Sequence, residues 1–453
     1  MAADFDNRST NSVESFNQGI ENSNLQQFDK AITDYPKAIK LDPKPAKAYK
    51  ERGIAYGKLQ QYDKAIADYT RAIELDPKYA KAYNNRGIAY GELQQFDMAI
   101  TDFTKASELD PKYAKAYITR GIAYGKLKQF DKAITDYTKA IDLDPKPAKA
   151  YNNRGIAYGK LQQFDKAITD YTKAIDLDPK YAMAYNNRGI AYGELQQYDK
   201  AITDYTRAIE LDPKLSYSYA NRGFAYGNLN QYDKAIADHT RAIELDPKGA
   251  KAYFARGFAY GELEQYDKAI ADFTKAIELD PKLAVAYSNR GAAYLGLQQY
   301  HKAIADCTKA IELDPKLAKA YYNRGVAYGE RKQYDEAIAD CTKAIELDPK
   351  LAKAYKNRGF SYLSLQKFYE AITDYTRAIE LDPKLAEVYN NRGNAYLGFQ
   401  QYDKAITDYT RAIELYPKLA EAYKNRGVTY LKVGKKKEAE ADFAKAKKLK
   451  EDD

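Results

Sequence analysis

Residues able to do chemistry are few in this chain, and they recur at fixed steps. Two histidines and two cysteines make up the whole supply of imidazole and thiol groups. Cys307 and Cys341 stand one step of 34 residues apart, and His239 falls in the same column two steps earlier. Zinc sites draw ligands from pairs two to four residues apart, so this spacing holds no metal. On successive packed helices the two cysteines would lie about 8–10 Å apart, beyond the reach of a disulfide. Both read as small buried hydrophobes. His301 stands outside that column and outside any zinc spacing. No glycine-rich phosphate loop or strained nucleophile turn occurs. The sequence therefore predicts no catalytic residue, no metal and no cofactor, and it reads as a non-enzyme.

Four other columns carry polar or apolar groups in register. Arginine recurs at Arg52, Arg86, Arg120, Arg154, Arg188 and onward to Arg426, with aspartate sixteen residues after each: Asp68, Asp102, Asp136, Asp170, Asp204, onward to Asp442. A core-facing arginine needs a partner, because an unpaired buried charge is costly. Guanidinium and carboxylate match two bonds to two. A ladder of structural ion pairs is expected, such as Arg154 with Asp170 and Arg188 with Asp204, within or between repeats. The alternative is that these arginines grip an anionic ligand. Asparagine precedes the arginine at Asn153, Asn187 and Asn221, then five times in succession at Asn289, Asn323, Asn357, Asn391 and Asn425. An amide donates and accepts, so such a row can hold the backbone of an extended peptide; bonding to neighbouring repeats is the other reading. Two residues after the arginine the side chain is apolar in most copies, with isoleucine early and Phe224, Phe258 and Phe360 later.

The elements behind these columns follow from the period. From Ser12 the chain divides without insertion into thirteen units: 12–45, 46–79, 80–113, 114–147, 148–181, 182–215, 216–249, 250–283, 284–317, 318–351, 352–385, 386–419 and 420–453. They are called repeats 1 to 13 here, and Ala148 is position 1 of repeat 5. In that repeat Tyr151, Gly155, Tyr158 and Leu161 form one helical stripe; Ala167, Ile168, Tyr171, Ala174 and Ile175 form another. The first helix ends at Gln-Gln. The second is expected to begin at an Asp that caps it or favours its dipole, and it stops before Asp-Pro-Lys. Gly155 faces Ala167 and Ala174 in this reading, letting the two backbones approach closely. Each helix is too short to be stable alone, so stacked pairs must share a core. Residues 1–11 are polar and are expected to form a flexible N-terminal tail.

Aromatic at position 4, Gly at 8, Tyr at 11, Ala at 20, aromatic at 24, Ala at 27 and Pro at 32 resemble the tetratricopeptide repeat (TPR) over residues 12–453. In repeat 5 these are Tyr151, Gly155, Tyr158, Ala167, Tyr171, Ala174 and Pro179. Two departures stand out: Tyr replaces the family's usual Trp at position 4, and Arg its usual Leu at position 7. The resemblance implies an all-α solenoid of antiparallel helix pairs wound into a right-handed superhelix, with a concave groove lined by first helices. Ser15 and Asn22 in repeat 1, and Glu440 and Lys447 in repeat 13, put polar groups where other copies carry Tyr or Ile, as terminal repeats require. One complete solenoid over 12–453 is expected.

Function follows as a set of expectations. The reading is a scaffold that binds a protein or peptide segment in the groove, through the asparagines above, the three phenylalanines, and Lys319 and Lys353 at position 2. Position 5 varies most between copies and is expected to be a free, groove-facing site of ligand reading. The asparagine row looks like that in the TPR superhelix of sugar-transferring enzymes that modify Ser and Thr. The carboxylate clamp of heat-shock cochaperones is absent as a set: Lys50, Lys356 and Lys424 are followed at position 9 by Ile54, Phe360 and Val428, and no copy has Arg at position 6. A structural spacer with nothing in its groove is the alternative. Nucleic-acid binding is disfavoured, because a net charge of +8 is diluted among 72 basic and 64 acidic residues that alternate in sign. No apolar run approaches a membrane span of about 20 residues, and no apolar leader precedes Ser12. With only two cysteines, the sequence reads as cytoplasmic.

Overall fold

The structure is a computed structural model that describes residues 2–42 and 45–451. Among these residues it contains 26 helices and no strand. Every repeat contributes two of them. In repeat 5 they are Ala148–Lys160 and Phe164–Leu177.

Local sequence sets these boundaries. The first helix stops because position 15 enters the left-handed region, as at Gln162 with φ of 59°. The Gln163 N–H then reaches back to the Tyr158 carbonyl at 2.9 Å, satisfying a free helix end. The second helix starts one residue earlier than expected, at Phe164. Asp165 sits inside its first turn and makes no side-chain cap, so its contribution is to the helix dipole alone. At the far end Asp178 turns extended, and its carboxylate accepts from the Lys180 N–H at 3.0 Å. Pro179 lies between them and cannot continue a helix.

Alanine dominates the interior. Ala150, Ala167 and Ala174 are fully buried. Ile141, Ala150, Ala174, Ile175 and Ala184 share one core cluster, which draws on repeats 4, 5 and 6. Gly155 has a different role from the one the sequence suggested. A Cβ there would stand 2.7 Å from the Tyr171 ring, so the glycine makes room for the aromatic of position 24 rather than for a bare backbone.

The chain divides into two compact units, Met1–Ala225 and Tyr226–Asp453. Within each unit, first helices of neighbouring repeats touch one another, whereas second helices touch only first helices among the described residues. The first-helix layer is thus the more closely spaced, and it forms the inner face of each stack. Residues 2–11 belong to a helix, Ala2–Asn24. No Gly or Pro interrupts residues 2–18, so nothing stops the helix from extending. Glu440 and Lys447 are exposed, as a repeat with a polar outer side requires. Asn22 is instead buried and donates to Asp34 at 2.7 Å. Repeat 1 carries Gln18 in place of the arginine, and Asn22 supplies the missing donor.

Candidate partner-binding face

The arginine column is built into the stack. Arg154 donates through Nε and Nη2 to the two carboxylate oxygens of Asp170 at 2.8 and 2.7 Å. Its Nη1 donates to Thr138 Oγ1 of the preceding repeat at 3.0 Å. Arg188 repeats the pattern with Asp204 and Thr172. In the second unit Arg256, Arg290, Arg324, Arg358, Arg392 and Arg426 do the same, as with Asp306 and Thr274 at Arg290. The pair is within one repeat and the threonine link is between repeats. Arg52 lacks the second link, because Pro36 occupies the threonine position. The hydrogen bond to Asp170 raises the Arg154 pKa against the opposing effect of burial. The guanidinium also lies over the Tyr151 ring, 5.7 Å from its centre. Three donors and one face are occupied inside the protein, so the anion-gripping alternative has little left to work with.

The asparagines at position 6 are not one uniform row. Asn187 donates to Asn152 Oδ1 at 3.0 Å, Asn221 to Asn186 at 3.2 Å and Asn425 to Asn390 at 3.1 Å. Asn323 donates to the Ser288 carbonyl at 3.2 Å. Each reaches position 5 of the repeat before it. Where it is Asn or Ser, position 5 is therefore not free or groove-facing: Asn152, Asn186, Ser288 and Asn390 are buried between first helices. Where position 5 offers no acceptor, the amide behaves differently. Phe254 stands there before Asn289, which turns to its own Val285 carbonyl at 2.7 Å. Before Asn391 stands Lys356, and that amide makes a long contact of 3.5 Å with Asn390; Asn357 keeps the first pattern, bonding to the Tyr322 hydroxyl at position 5 of the repeat before it. Ile118 stands before Asn153, and that amide has no partner among the described residues.

Position 9 forms the exposed apolar line. Ile122, Ile156 and Ile190 of the first unit are 41%, 36% and 40% exposed. Phe224, Phe258 and Phe360 are more than a third exposed as well, each on the first helix of its own repeat. Lys319 and Lys353 at position 2 are exposed. Recesses open between successive position-9 residues. One lies between Ile122 and Ile156 and encloses ≈ 680 Å³, floored by Phe130 and Tyr137. Its neighbour between Ile156 and Ile190 encloses ≈ 430 Å³ over Phe164 and Tyr171. The sequence held a signal for them: Gly125 and Gly159 at position 12 leave the space open, where a larger side chain would fill it.

The remaining candidates are inert. Cys307 and Cys341 are free and buried, and burial pushes both thiols up to about 12. A thiol so far from ionisation is no nucleophile. Among the described residues no cluster of three or more His, Cys, Asp or Glu could hold a metal ion. None of their helices is long and apolar enough to cross a membrane.

Comparison with known proteins agrees with this geometry. The tetratricopeptide repeat pattern matches eleven successive segments from 46–79 to 386–419. Related TPR patterns match residues 24–60 and 408–441. Among solved structures, the Cut9–Hcn1 hetero-tetramer of the APC/C aligns over 91% of this chain and 95% of its own, at 16% identity and a TM-score of 0.51. Yeast Tom70 aligns over 97% of both chains at 20% identity and a TM-score of 0.40. MamA is 30% identical over 36% of this chain and 96% of its own, with a TM-score of 0.34. No match was found among curated proteins. With the pattern recurring from end to end over paired helices that carry its signature residues, the chain belongs to the tetratricopeptide repeat family.

Proposed function

We propose that this protein is a non-enzymatic interaction scaffold whose first-helix face holds a segment of a protein partner. The observation that carries this reading is the line of exposed apolar side chains at position 9, with recesses between them. Scattered apolar residues are ordinary on a protein surface, but an aligned row with cavities between its members marks a binding site. The amides support a narrower version of the sequence reading. Those bonded to position 5 fix the register of the first helices, and contact with a partner is left to the position-9 row and to amides such as Asn153.

The test is partner capture from an extract on the full chain, beside a variant carrying Ile122→Asp, Ile156→Asp and Ile190→Asp. The three side chains are exposed, so folding should persist. Capture of at least one protein by the native chain, reduced tenfold or more by the variant and retained at 0.3 M salt, is the expected result. Capture that the variant leaves intact would move the site elsewhere. Capture of nothing would favour the spacer reading.

A further inference from the structure

The repeat recesses are not equivalent, and one is equipped for a particular ligand chemistry. Between repeats 4 and 5 the rim carries Lys126, Lys128 and Lys160 and no carboxylate. All three lysines are exposed and none is ion-paired among the described residues. The next recess, between repeats 5 and 6, has Glu194 opposite Lys160, and its Asn187 is bonded to Asn152. In repeat 8 the corresponding rim residues are Glu262 and Glu264. Only between repeats 4 and 5 do positions 13, 15 and the next 13 all carry a positive charge. There too Asn153 lines the cavity with its amide unengaged, because Ile118 gives it nothing to bond.

We infer that this recess seats one apolar side chain of a partner segment whose flanking residues are Asp or Glu. This rests on the groove-binding reading and names the class of segment it takes. The floor of Phe130, Ala133, Tyr137 and Ala157 suits an aliphatic or aromatic side chain. Lys126 and Lys160 belong to neighbouring first helices, about 8–10 Å apart. An extended chain covers that span in about three residues at ~3.3 Å each, so carboxylates on either side of the apolar residue reach both ammonium groups. Asn153 can bond the backbone between them. Repeats 9, 11, 12 and 13 carry Leu295, Leu363, Leu397 and Leu431 where repeat 4 has Gly125, so a leucine at this position is compatible with the fold. A Cβ at Gly125 would meet nothing within 4 Å.

The experiment pans a random 16-residue peptide display library on the full native chain. Enriched peptides are then measured against two variants, Lys126→Glu/Lys128→Glu/Lys160→Glu and Gly125→Leu. The expected consensus is Leu, Ile or Phe with Asp or Glu within three residues. Binding should weaken at least tenfold in the triple variant, and it should be abolished in Gly125→Leu without a fall in melting temperature. Peptides that bind the native chain but are indifferent to both variants, or that lack acidic residues, would overturn this inference and leave groove binding standing. Failure to enrich any peptide would overturn both. A concentration-dependent dimer that Gly125→Leu dissolves would assign the recess to a second copy of the chain, and would also overturn it.

Discussion

Arginine at position 7 and tyrosine at position 4 depart from the family pattern together, and each accounts for the other. The guanidinium lies over the phenol ring, bonds the aspartate of its own repeat and reaches the threonine of the one before. Asp170 is buried, so Asp170→Asn should leave Arg154 poorly paired and lower stability by about 3 kcal/mol. Asp165→Asn, on an exposed first turn, should lower it by less than about 1 kcal/mol; urea unfolding of both variants checks the contrast. His239 gives a second expectation. It fills the aromatic column, buried beside Arg256, and desolvation lowers its pKa from 6.5 to about 4. The unfolded chain therefore takes up this proton first, so stability is full above pH 6.5 and is lost as pH falls toward 4. Across that range the loss is about 3 kcal/mol, and His239→Phe should flatten it in urea titrations at pH 7 and pH 5. The Arg–Asp pairing was readable because sixteen residues recur between two helical stripes. The relation of positions 5 and 6 was not. Their bond spans 35 residues, from Asn187 to Asn152, and a single helix taken by itself cannot show which neighbour will close over it.

At the scale of the helix pair, the interior is a set of small residues arranged around one large ring. Gly155→Ala would place a methyl 2.7 Å from Tyr171, a contact that the fully packed surroundings cannot relieve cheaply. A loss of about 1–3 kcal/mol is expected, read as a lower melting temperature, although alanine alone favours a helix. In a Tyr171→Ala background, which removes the ring, Gly155→Ala should carry no such penalty. Helix existence and period were plain from the apolar stripes. The finer boundary has a local cause: Phe164 precedes Asp165 into the helix because its Gln163 neighbour has already left the left-handed turn.

For the molecule as a whole, near-identity of the copies makes stability close to a sum of repeat and interface terms. Removal of residues 148–181 joins Pro147 to Ala182, and every repeat boundary in this chain already joins that position to a first-helix start. The shortened protein should keep its helix content per residue by circular dichroism and still unfold cooperatively, while losing the acidic-segment recess. An unfolded product would show that the copies are not independent. Architecture was legible from the 34-residue step, as were the columns that pack. Which recess differs from the rest was not, since it depends on Lys126, Lys128 and Lys160 meeting around a cavity that Gly125 leaves open.

The threonine that each arginine finds behind it has a consequence for descent. Thr138, Thr172 and Thr206 are interchangeable acceptors, so a duplicated copy slipped between any two of these repeats meets its hydroxyl and carries its own carboxylate with it. Unequal crossing-over can then lengthen or shorten the array without stranding a charge, and length becomes a trait that lineages can vary.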